Sequence, residues 1–221
     1  MTRVSKTVSR LHVFDMDGTL LPGTTACRVI AEHIQESAQF DRLEKLWNSG
    51  RVTTLSFAKQ SYTLWRTLRQ DIVDEAFRSC THIRGISEVM ADIKRRRERA
   101  MLITMSPGFF ARLYGGYGVE EIVASNFPSL PFIDTPLDTA GILTPEDKPR
   151  IVSSRCQDLG IQMKNVVAYG DSRSDVPLFR QVGLAVSVNG DETVSEVAHI
   201  TYRGDDLRIA YRMAREKLVI E

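Results

Sequence analysis

A doubly wound α/β fold, a parallel sheet with helices on both faces, is what this chain of 221 residues predicts, with a small all-helical insert behind its first strand. Three observations carry that expectation. Short apolar runs recur along the chain, continuous rather than alternating, as strands buried on both faces require. Stretches with helical spacing lie between them and supply the crossovers of a parallel sheet. Residues 22–84 break the rhythm, with helical periods and no strand.

The elements follow in order. Leu11-His12-Val13-Phe14 is the first strand. In the insert, Ala26, Val29, Ile30, His33 and Ile34 recur at helical spacing, then Phe40, Leu43, Leu46 and Trp47 before Gly50. Leu55, Ala58, Tyr62, Trp65 and Leu68 mark a third helix, and Ile72, Val73, Ala76 and Phe77 a fourth. The simplest place for Trp47 and Trp65 is the core of that bundle. The later strands are Ala100 to Met105, Glu121 to Ala124, Val166 to Tyr169, Leu184 to Val188 and Ile200 to Tyr202. Phe132-Ile133-Asp134 and Gly141-Ile142-Leu143-Thr144 read as arms of a short hairpin. The division is therefore residues 1–21 and 85–221 as the core and residues 22–84 as a helical cap. The stretch from Asp205 to Leu218 reads as an amphipathic closing helix that suits a homodimer without requiring one.

Composition excludes several classes. Hydrophobic content of 43% with 26% charged residues is that of a soluble globular protein, not of a disordered or fibrous one. A net charge of +1 gives no electrostatic ground for nucleic acid or anionic membrane as partner. No apolar run approaches the roughly 20 residues that span a bilayer, and the first ten residues hold no apolar stretch of the secretory kind. Three cysteines (Cys27, Cys80, Cys156), odd in number and widely spaced, argue against a disulfide framework and fit the reducing cytoplasm. Lys94-Arg95-Arg96-Arg97-Glu98-Arg99 ends a helix, where cations favour the C-terminal turn and face solvent. The histidines His12, His33, His82 and His199 show no metal-ligand spacing, and His12 reads as a packed neutral imidazole.

Chemistry concentrates at strand ends, where an open parallel sheet binds its ligands. Asp15-Met16-Asp17-Gly18-Thr19-Leu20 follows the first strand. Two carboxylates one residue apart can converge on one ion, with Gly18 allowing a tight turn, although an Asp-Gly-Thr turn also ends strands for purely structural reasons. Gly170-Asp171-Ser172-Arg173-Ser174-Asp175 repeats an acidic pair after a second buried strand. Ser106-Pro107-Gly108 closes a third, and Lys148 stands before a helix led by Pro149.

This set resembles the haloacid dehalogenase superfamily of aspartate-nucleophile phosphohydrolases, and its Ser106-Pro107-Gly108-Phe109 stretch and helical cap are most similar to the phosphoserine phosphatase branch. The resemblance implies Asp15 as nucleophile and Asp17 as general acid and base. It implies Ser106 and Lys148 as phosphate holders, with Gly18 and Thr19 of the first loop also binding phosphate. It implies a Mg²⁺ site from Asp15, Asp171 and Asp17 through its carbonyl, with Asp175 as acidic neighbour. The function so implied is Mg²⁺-dependent hydrolysis of a small-molecule phosphate ester. A phosphotransferase or mutase on the same core is the alternative, and a non-catalytic binding protein a weaker one. Physical chemistry agrees, since a carboxylate approaching a phosphate dianion needs a hard cation and a lysine against like-charge repulsion. Asp17, which must give and then take a proton, is expected to have a higher pKa than Asp15.

The match departs from the branch in one informative place. Thr24 stands where those phosphatases carry a glutamate, and Leu64 falls nearest their cap arginine, with Arg66 and Arg69 close by. Without an acid, a serine ammonium would go unpaired in a closed site, so phosphoserine is expected to be a poor substrate.

Overall fold

The computed structural model describes residues 8–220; residues 1–7, most of the stretch examined above for a leader, lie outside them. The apolar runs become six parallel strands: β1 (Leu11–Phe14), β2 (Arg99–Pro107), β3 (Glu121–Ser125), β4 (Val166–Gly170), β5 (Leu184–Val188) and β6 (Ile200–Tyr202). Their order in the sheet is β3-β2-β1-β4-β5-β6. The chain winds outward from β1 through β2 to β3, then returns to pair β4 on β1's other side, so a crevice opens at the carboxyl ends of β1 and β4.

Strand residues divide by parity between two apolar layers. Phe14, Leu102, Val167 and Tyr169 face one layer, and Leu11, Val13, Met101, Ile103 and Ala168 the other. Helices α5 (Ile86–Arg95) and α10 (Leu207–Ile220) cover the first face with the single turn α6 (Gly108–Ala111), while α7 (Asp147–Leu159) and the single turns α8 (Val176–Phe179) and α9 (Glu192–Ser195) cover the second. His12 lies in this packing as expected: it is fully buried and bonded to Tyr169 Oη and to Glu98, which Arg215 also holds.

Between β1 and α5 lie four helices: α1 (Ala26–His33), α2 (Ser37–Asn48), α3 (Thr54–Leu64) and α4 (Gln70–Ser79). The chain leaves the sheet after Leu20 and returns beside it, Ile83 N–H donating to the Leu20 carbonyl at 3.1 Å. The insert's apolar faces have no core of their own. Ile30, Phe40 and Trp65 join Phe109, Tyr114 and Phe127 in the same apolar layer as Phe14 and Leu102.

Two expectations change. Residues 126–147 form no hairpin: a single 3₁₀ turn, Thr139–Gly141, interrupts irregular chain. Four prolines in the span deny it the N–H donors that a strand ladder needs. The segment instead props the insert, with Phe132 stacked on Tyr62 and the Thr135 carbonyl accepting from Tyr62 Oη at 2.6 Å. The tryptophans also part company. Trp65 is fully buried as foreseen, but Trp47 is only half-buried at the mouth of the crevice, its ring under the Arg173 guanidinium at 4.4 Å.

Candidate active site

The β1–β4 pairing sets the geometry. Phe14 lies level with Tyr169, and Asp15 N–H donates to the Tyr169 carbonyl at 2.9 Å, so the residues just past each strand meet. Oxygens of Asp15, Asp171 and Asp175 all lie within 4.8 Å of one another. Lys148, at the start of α7, is almost fully buried, and its Nζ donates to Asp15 Oδ1 and to Asp175 Oδ1 at 2.7 Å each. Asp175 Oδ2 accepts from the Asp171 and Ser172 N–H groups, so this carboxylate both anchors the lysine and folds the Asp171 loop.

Gly18 is required here by space as well as by conformation. Its φ is +76°, and a Cβ on it would lie 1.9 Å from Asp171 Oδ2. Its N–H is engaged by the Leu21 and Thr24 carbonyls, and Thr19 N–H by the Met16 carbonyl, so the turn absorbs the donors that were expected to face phosphate. The Thr19 hydroxyl donates to Asp171 Oδ1 at 3.3 Å. Both residues thus shape the acidic cluster.

Asp17 points elsewhere, towards the insert. Its Oδ1 accepts from Ala26 N–H, the first of helix α1, at 2.7 Å, and its Oδ2 from Ser106 Oγ at 2.5 Å. A bulge in β2 delivers that serine: the register with β3 slips between Thr104 and Pro107, turning Ser106 out of the ladder. Thr104 stays behind, its hydroxyl accepting from Ser106 N–H. Burial pushes the Asp17 carboxyl up to about 6, against the two hydrogen bonds that favour its charge.

Burial raises Asp15 too; Lys148 opposes the rise, while Asp175 and Asp17 add to it. Asp171 is raised by burial, then by Asp15 and Asp175. Lys148 stays firmly charged: burial disfavours its ammonium, but the two carboxylates overcome that. The foreseen order, with Asp17 above Asp15, therefore does not hold for the protein's own charges. The reason is that three crowded carboxylates face one ammonium. Such an excess of buried negative charge calls for a further cation, and an all-oxygen donor set fits a hard divalent ion.

Two cavities adjoin this cluster. The larger, about 680 Å³, is lined by Asp15, Asp17, Gly18, Thr104, Asp171 and Ser172 among others. The smaller, about 160 Å³, runs under the insert from Asp17 and Ser106. Glu44 of α2 lines both, accepting from the Thr25 hydroxyl. This corrects the expectation of a pocket without an acid, because the carboxylate comes from helix α2 of the insert rather than from position 24. Arg66 and Arg69 stay away, bonded to the Ile133 carbonyl and to Asp71. Arg173 was also missed; it reaches from the Asp171 loop to the Trp47 carbonyl and ring. Thr25 was the one readable signal, an N-cap residue that aims α1's N-terminus at the site.

A family model described as haloacid dehalogenase-like hydrolase matches residues 12–180. The chain belongs to that family. Within it the chain is similar to the phosphoserine phosphatase of Wolinella succinogenes, 24% identical over 210 residues that cover 90% of this chain and 97% of that one. It is 24% identical to the phosphoserine phosphatase of Methanocaldococcus jannaschii over 90% of this chain and 94% of that one. The phosphoserine phosphatase of Archaeoglobus fulgidus is 24% identical over 86% of this chain, which spans 55% of that protein's length. Among solved structures, a phosphoserine phosphatase with a phospho-aspartyl intermediate analogue superposes with a TM-score of 0.78 at 20% identity, covering 93% of this chain and 99% of that one. That likeness establishes the fold: a parallel-sheet core with helical elements. The protein is a phosphoserine-phosphatase-like hydrolase of the haloacid dehalogenase-like family.

Proposed function

We propose that the protein is a Mg²⁺-dependent phosphatase that hydrolyses a small-molecule phosphomonoester through an aspartyl-phosphate on Asp15. The observation that carries this reading is the meeting of Asp15 with Lys148 and Asp171, three residues from distant parts of the chain, in one buried cluster. Asp15, Asp171 and the Asp17 carbonyl would hold the ion, and Asp175 would support it by fixing Lys148 and the Asp171 loop. When bound, the ion neutralises these carboxylates and the phosphate oxygens, keeping Asp15 ionised at neutral pH.

The chain's own groups carry the chemistry. Lys148 holds Oδ1 of Asp15, which leaves Oδ2 to attack phosphorus in line with the ester oxygen. Asp17, with a pKa raised to about 6, gives its proton to the departing alkoxide as the phosphorus–oxygen bond breaks. It then takes a proton from the water that attacks the aspartyl-phosphate, releasing phosphate and restoring Asp15. Ser106, hydrogen-bonded to Asp17 in the structure, is positioned to donate to the phosphate once Asp17 turns to the leaving oxygen. Helices α1 to α4 close over the larger cavity, exclude bulk water and choose the alcohol.

The test is release of inorganic phosphate from p-nitrophenyl phosphate with Mg²⁺, compared with Asp15→Asn. Turnover is expected to fall by more than about 10⁴-fold in the variant, with an unchanged circular dichroism spectrum. Near-normal activity in Asp15→Asn defeats the covalent mechanism. Phosphate appearing on an added alcohol rather than in water makes the protein a transferase.

A further inference from the structure

The smaller cavity bears on the alcohol half of the substrate, and the inference rests on the phosphatase reading above. It opens on Asp17 and Ser106, the side from which the leaving oxygen receives its proton. Its walls are aromatic and apolar: Trp47, Phe57, Trp65, Met105, Phe127 and Ile142. Two polar groups among these walls have no partner, Ser61 Oγ and Trp65 Nε1, and both residues are almost wholly buried. A buried donor left unpaired is costly, so both point to a ligand atom.

Glu44 lines both cavities and therefore stands where phosphate and alcohol join. Among the described residues no ion pair forms to it, and Arg28 at the rim is paired with Asp41 at 3.1 Å. A free carboxylate beside a bound phosphate dianion is repulsive unless the ligand itself brings a cation. Aromatic walls add to this, since ring faces attract ammonium groups. No lysine, arginine or histidine lines the smaller cavity. A carboxylate on the ligand would meet only neutral donors, such as those of Ser61, Trp65, Thr54 and Asn48, a poor exchange for water.

We propose that Glu44 and this aromatic cavity select the phosphomonoester of a compact amino alcohol, one that carries a cationic amine and no carboxylate. The amine sits between Glu44 and the ring faces of Trp47 and Phe57. Ser61 and Trp65 donate to a second, neutral oxygen of the alcohol, one that phosphoethanolamine lacks, so that ester probes the amine contact alone. The group missing from a phosphoserine site is thus the base that would pair the serine carboxylate, not the acid that would pair its amine.

The experiment measures kcat/KM with Mg²⁺ for phosphoethanolamine, ethyl phosphate and phosphoserine, using p-nitrophenyl phosphate as control, on the wild type, Glu44→Gln and Glu44→Asp. Phosphoethanolamine is expected to exceed both ethyl phosphate and phosphoserine by about tenfold, the size of one desolvated cation–π or ion-pair contact. Glu44→Gln is expected to collapse the amine-to-neutral ratio, and Glu44→Asp, which keeps the charge, to retain part of it. Phosphoserine turned over as well as phosphoethanolamine, or a ratio unmoved in Glu44→Gln, overturns the proposal while the control still reports a phosphatase. No turnover of any ester, the control included, instead defeats the phosphatase reading itself.

Discussion

The two cavities share a wall at Asp17 and Glu44 but are made of different material. The larger one is floored by residues that follow β1 and β4 directly, so the sheet's hydrogen bonds fix Asp15 and Asp171 relative to each other. It is charged, and Lys148, Asp175 and the tight Gly18 turn leave its carboxylates little freedom. The smaller one is bounded mainly by α2, α3 and the proline-rich segment after β3, elements joined by side-chain packing and side-chain hydrogen bonds, such as that from Tyr62 to the Thr135 carbonyl, rather than by a backbone ladder. The difference separates two jobs. On the proposed reading, rate would depend on groups held by the backbone ladders, whereas substrate choice would depend on Glu44 and on apolar side chains held by packing.

That division can be broken, and the largest expected effect comes from the charged cavity. Gly18→Ala places a methyl where Asp171 Oδ2 now lies, on a residue with φ of +76°. Asp171 must move, so kcat/KM is expected to fall about 10²-fold and the Mg²⁺ concentration for half-activity to rise, with the ranking of esters preserved. A changed ranking at unchanged rate would erase the distinction between the two cavities.

A smaller effect is expected from pH. The Asp17 carboxyl, raised by burial to about 6, is protonated below that value and ionised above it. An alkyl phosphate needs the proton, so its kcat/KM should decline about tenfold per pH unit above roughly 6. p-Nitrophenyl phosphate, whose leaving group departs as an anion, should decline less. Parallel profiles for the two esters would remove Asp17 from leaving-group protonation.

The smallest effect concerns the seam. Arg173 ties the Asp171 loop to Trp47 of the insert through the ring and the backbone carbonyl. Arg173→Ala is expected to raise KM about two- to fivefold, the worth of one exposed cation–π contact. A larger fall in kcat than rise in KM would mean that the insert's position governs the chemical step as well.

Much of the charged cavity was legible beforehand because each of its residues abuts a strand or helix end. Asp15, Asp17, Asp171 and Asp175 were named from local sequence, and Lys148 from the turn before α7. Ser106 was named as well, although the bulge that turns it outward was not legible. Glu44 and Trp47 were not legible. Both belong to α2, at spacings that read equally as a solvated or a packed face, and only the placement of that helix over Asp17 decides between them. The hairpin failed for a related reason, since two short apolar runs say nothing of whether the N–H donors that four prolines remove can be spared.

By itself, then, the sequence determined the parallel sheet, the order of its strands' chemistry and the cast of carboxylates, since apolar runs and turn residues act over a few neighbouring positions. Tertiary structure alone decided which charges became unpaired, which hydroxyl met Asp17 and which side chains line the smaller cavity. Those outcomes depend on desolvation and close packing between segments far apart in the chain, and no local pattern encodes them.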